Sequence, residues 1–130
     1  MSRRPGRDEA GSAIVDFVLV LVVLIPVFLG ILQLALTLHV RNVLASAASE
    51  GARHGATLDR EPADGVAKAH GQIVGALNES YADNIRAEAT TIGGAPAVRI
   101  VIRAVVPALG IGGPGVPLTV RGTAVDEDIP

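Results

Sequence analysis

One carboxylate carries the most pointed chemistry in the chain. Asp16 stands at the mouth of a long apolar run, five residues after Gly11, in the stretch GSAIVDFVLVLVVLIP. A carboxylate left unpaired at the end of a bilayer costs several kcal/mol, so it needs a partner or access to water. Read plainly, Asp16 is an acid in the first turn of a helix, where it suits the positive end of the macrodipole, and Gly11 is a flexible joint before that helix. Other chemistry is sparse. His39, His54 and His70 lie far apart on different segments, and no HExxH, GxSxG or Walker pattern occurs. The acids that cluster, Asp126–Asp128, belong to the terminal tail DEDIP. With no Cys in the chain, thiol chemistry, disulfides and Cys-based metal sites are excluded. No catalytic residue, cofactor, metal or small-molecule substrate is expected. The net charge of −2 argues against a nucleic-acid partner, which would require a basic face.

The elements that must position Asp16 begin with the apolar run itself. Phe17–Leu38 is 22 residues without a charge, interrupted by Pro26, Gly30, Gln33 and Thr37. As a helix it rises roughly 33 Å, about the hydrocarbon thickness of a bilayer. It is too long for the apolar region of an ordinary secretory signal, about 7–15 residues. It also lacks the polar stripe of a soluble core helix. A membrane-inserted helix follows, and Pro26 bends it at little cost in lipid. Arg3, Arg4 and Arg7 precede the run and Arg41 and Arg53 follow it, a modest bias that puts the amino terminus in the cytoplasm. The foldable remainder then lies outside the cytoplasm.

From His39 the helix continues through VRNVLASAASEGARHGA, with no proline to break it. Ala45, Ala48, Ser49, Ala52 and Ala56 recur at three- and four-residue spacing, with Gly51 and Gly55 alongside. Such a smooth stripe lets another helix or a sheet approach closely. A helix from Ser12 to Ala56 would be roughly 67 Å long, more than one small domain can bury, so part of it is expected to meet partners.

Asp59 or Glu61 with Pro62 marks the start of a second helix. Its inner face is Val66, Ala69, Ile73, Leu77 and Tyr81. Strand alternation follows over 84–92 and 97–106, with Val98, Ile100 and Ile102 inward and Arg99 and Arg103 outward. GGAP (Gly93–Pro96) is the turn of an antiparallel hairpin, with Glu88 facing Arg99 or Arg103 across it. Pro107–Pro117 reads as an irregular Gly/Pro loop and not a phosphate cradle, because no strand–loop–helix with a Lys follows. Leu118–Val125 is a third strand. The fold class is α+β: a long transmembrane helix, an Ala/Gly-rich helical stem, and a small distal domain of one helix over a three-stranded antiparallel sheet.

The stretches GSAIVDFVLVLVVLIP and VRNVLASAASEGARHGA, together roughly 11–56, resemble the TadE-like family of the tight-adherence (Flp-type) pilus system, minor pseudopilins of the type IV pilin class. The resemblance implies that a prepilin peptidase cuts after Gly11, making Ser12 the new amino terminus and Asp16 the fifth mature residue, followed by Phe17. Residues one and five lie one turn apart on the same helix face, so the freed amine can meet Asp16 of its own or a neighbouring chain. In the family such an acid sets the stagger between subunits. The usual acid there is Glu, and Asp16 is one methylene shorter. The resemblance further implies a leader at 1–11, a transmembrane helix at 12–38, a stem at 39–58 and an extracytoplasmic domain at 59–130. It also implies an inner-membrane location, incorporation into a surface pilus, and other pilins or pseudopilins and the assembly platform as partners.

Two other organisations compete with this one. An unprocessed single-pass membrane protein could present its outer domain to a partner. A binding module could use the apolar segment only for targeting, with a mature start near ASAAS.

Overall fold

The structure, a computed structural model, describes residues 6–110 and 112–127. Residues 1–5 of the expected leader, Arg3 and Arg4 among them, and Asp128 of the acidic tail lie outside the described residues. The fold is α+β, as the sequence implies: helix α1 (Gly6–Gly55), helix α2 (Pro62–Ala76), a short 3₁₀ turn (Glu79–Ala82), and strands β1 (Ile85–Ile92), β2 (Ala95–Val106) and β3 (Val116–Val125). The strands form one antiparallel meander in the order β1-β2-β3. Both helices pack on the same face of this sheet, α1 chiefly along β3 and β2, and α2 along α1 and β1.

α1 is one unbroken helix of 50 residues. It begins before Gly11 and not after it, because Asp8 and Glu9 fall in its first turn and complement the dipole there. From Ile14 to Leu38 most of its large apolar side chains are exposed, Phe28 at 58% and Ile31 at 61%. From Val40 onward one face is buried. The helix ends at Gly55, where Thr57 Oγ1 donates to the Arg53 carbonyl at 2.8 Å and Asp59 adopts a positive φ of 64° to turn the chain. Arg60 donates to His54 Nε2 at 2.6 Å across that turn.

α2 starts at Glu61 as N-cap, with Pro62 in the first turn and the Asp64 carboxylate accepting the Glu61 N–H at 2.8 Å. It stops at Ala76, earlier than the spacing of Leu77 and Tyr81 implies. Asn78 is the reason: its side-chain oxygen accepts from Ser80 N–H and nucleates the 3₁₀ turn instead. Tyr81 reaches the edge of the core from that turn, half-buried.

The hairpin turn is tighter than GGAP. Ile92 and Ala95 are already paired, leaving Gly93 (φ 56°) and Gly94 (φ 84°) as a two-residue turn that needs positive φ at both positions. β3 likewise begins at Val116, with Pro117 tolerated because β3 is an edge strand. Glu88 is the register partner of Arg99, and Arg103 falls beyond it.

The core is wholly aliphatic: Val40 and Leu44 from α1, Ile73 from α2, and Ile100, Ile102 and Val106 from β2 are its largest fully buried side chains. Each contributes about 1.5–3 kcal/mol through burial. On the sheet's open face, Val101 is 5% exposed; it is flanked in register by Arg86 and Arg121 and along β2 by Arg99 and Arg103, residues whose long stems can cover apolar surface.

Candidate functional site

Two parts of α1 hold the residues singled out by the sequence. At its lower end Gly11, Ser12, Asp16 and Phe17 are all exposed and all helical. Ser12 and Asp16 are four residues apart, one turn of helix, so they share a face. No hydrogen bond or ion pair with another described side chain engages Asp16. Its charge is available to a group outside the chain. A Cβ added at Gly11 would meet nothing within 4 Å. Packing within the chain therefore does not require glycine at position 11, and Ala there would stabilise the helix by about 1 kcal/mol.

At the upper end the small-residue stripe meets the chain's own domain. Ala48, Gly51, Ala52, Gly55 and Ala56 are buried, Ser49 is half-buried, and Ala45 is exposed. Ala47 takes the place on the buried face that spacing assigned to Ala45, because the face follows Val40, Leu44, Ala47 and Gly51. The stripe is thus closed largely by α2 and the sheet of the same molecule. A Cβ on Gly51 would lie 2.6 Å from the Gly65 carbonyl oxygen, and one on Gly65 would collide with the Gly51 carbonyl oxygen. On the other flank, a Cβ on Gly122 of β3 would collide with the Ala48 backbone. Sequence reasoning missed Gly65 and Gly122. An isolated glycine inside a strand pattern, as Gly122 is, was the available sign of close backbone approach.

A third feature joins the two parts. Gln33, in the apolar run, donates from Nε2 to the Pro107 carbonyl at 3.2 Å and accepts the Leu109 N–H on Oε1 at 2.7 Å. The β2–β3 loop is thereby held beside Ile25, Pro26, Leu29 and Gly30, with a shallow apolar groove of about 500 Å³ between them.

The arrangement presents one charge, one long apolar surface and one pre-filled small-residue seam. Its means are those of anchoring and packing. By length and composition α1 is able to cross a membrane. No curated protein and no solved structure matches the chain. The family described as TadE-like protein matches residues 11–53, from the glycine before Ser12 to the last turn of α1. Over that segment, which carries Asp16 and most of the stem, the chain is similar to that family.

Proposed function

We propose that the chain is a minor pseudopilin of a tight-adherence (Flp-type) pilus or a related secretion machine, without catalytic activity of its own. A prepilin peptidase removes residues 1–11, α1 stays in the inner membrane with its amino terminus on the cytoplasmic side, and the head stands outside. The observation that carries this reading is the exposed Asp16, one turn after Ser12 at the mouth of an unburied apolar helix that the family match enters at Gly11.

Two physical points support it. Gly11 weakens the helix at the scissile position without serving any contact in the chain, and a peptide must leave the helix to enter a protease. The amine freed at Ser12 would supply the cation that Asp16 lacks within the chain. Other pilins then pack along the exposed lower helix, and the charge pair sets their stagger.

The test is the amino-terminal sequence of the mature protein from membranes of cells with and without the prepilin peptidase. A start at Ser12 that disappears without the enzyme is expected. An intact amino terminus in both strains would leave an unprocessed single-pass anchor, a reading favoured by the unbroken course of α1 through Gly11.

A further inference from the structure

We infer that the β2–β3 loop is a second membrane contact, seated among the acyl chains of the leaflet on the head's side. This rests on the reading of α1 as a membrane span. Gln33 lies 16 residues beyond Phe17, about 24 Å along the helix. In a hydrocarbon layer about 30 Å thick it is therefore still inside. Ile25, Pro26 and Leu29, against which the loop rests, lie deeper than Gln33.

Keeping the loop in water would leave only 11–24 for the lipid, roughly 21 Å of helix, too short to span. It would also place exposed Phe28, Ile31 and Leu34 in water, on faces the loop does not cover. The loop's composition fits lipid. Between Arg103 and Arg121 no residue is charged, and Thr119 is the only one with a polar side chain. Leu109 and Val116 are exposed beside the helix.

Non-helical backbone at this depth must have its polar groups satisfied. Gln33 does this for two of them, the Pro107 carbonyl and the Leu109 N–H, the prolines at 107, 114 and 117 bring no N–H at all, and the N–H groups of Ala108, Gly110, Gly112 and Gly113 are left to water drawn in beside the loop. Thr37, the other polar residue of the upper span, turns its hydroxyl back onto the Gln33 carbonyl at 2.8 Å. The two polar interruptions of the apolar run are thus accounted for, one as the tether of the loop and the other as self-satisfied.

The chain has no cysteine, so single ones can be placed at will. Full-length Leu109→Cys, Val23→Cys and Thr91→Cys, each labelled with an environment-sensitive fluorophore, are reconstituted in phosphatidylcholine vesicles with and without brominated acyl chains. The expected result is blue-shifted, bromine-quenched emission at 109 and 23, with water-like emission at 91. Quenching at 23 with water-like emission at 109 would overturn the inference and leave the span standing. Blue-shifted but unquenched emission at 109 would also overturn it, because protein would then cover the loop. Loss of quenching at 23 as well would remove the span itself. Adding Gln33→Leu should shift the 109 label toward water while leaving 23 unchanged; no shift would refute the tether.

Discussion

The lower and upper parts of α1 are one helix built for two solvents. Below Leu38 the side chains are large and nothing in the chain covers most of them; above Val40 the inner face is mostly alanine and glycine and is buried. Bulk therefore marks the surface that leaves the molecule, and smallness marks the surface packed inside it. The lower helix gains from contact with lipid or neighbours, where apolar area counts. The upper helix gains from backbone approach, where each missing methyl lets α2 and β3 come closer.

The hardest test of this contrast is Gly122→Val, which drives a branched side chain into the Ala48 backbone. A loss of about 3 kcal/mol in head stability is expected, followed by urea unfolding of the detergent-solubilised chain with far-UV circular dichroism. Leu44→Ala and Leu24→Ala then make the same change at two heights on one helix. Leu44 is fully buried and should cost about 3 kcal/mol, whereas exposed Leu24 should cost under about 0.5 kcal/mol. Equal effects would abolish the distinction. Glycines divide in the same manner. Gly51→Ala should cost about 1–2 kcal/mol, net of its gain in helix propensity, because of the Gly65 carbonyl. Gly11→Ala should be neutral or stabilising by up to about 1 kcal/mol, yet should block removal of the leader. The smallest stability effect belongs to Asp16→Ala, within about 0.5 kcal/mol, since no described side chain bonds to it. That variant should nonetheless fail to enter an assembled fibre, as read by its absence from sheared pilus fractions.

Local pattern reveals much of this molecule. The apolar run, the Glu61–Pro62 helix start and the alternation around Val98, Ile100 and Ile102 each follow from neighbours within a few residues. The hairpin was visible in Gly93-Gly94, although only the Ile92–Ala95 pairing shows how short the turn is. Less accessible was whatever depends on a distant surface. Spacing alone fits Ala45 as well as Ala47, and the choice is made by where α2 and β3 press on the helix. Tyr81 keeps helical spacing from Leu77, but Asn78 offers the backbone a competing hydrogen bond and prevails. The tie from Gln33 to the loop joins residues 74 and 76 positions apart, beyond any periodicity. The chemistry proposed for Gly11 and Asp16 was legible for the opposite reason: no described side chain engages Asp16 and nothing packs against Gly11, so both residues stand clear of competing roles.

The seam between Gly122 and Ala48 also sets an order of events during synthesis. The strand that locks the stem is the last of the described elements to be made, and Glu127 N–H reaches the Ala56 carbonyl at 2.8 Å. These contacts join residues far apart in the chain, so they form slowly and only once β3 has been made. Until then the alanine–glycine face of the stem is open, and a truncated or delayed chain would offer that face to its neighbours. β3 thus acts as a timer that withholds the folded head until that strand has emerged.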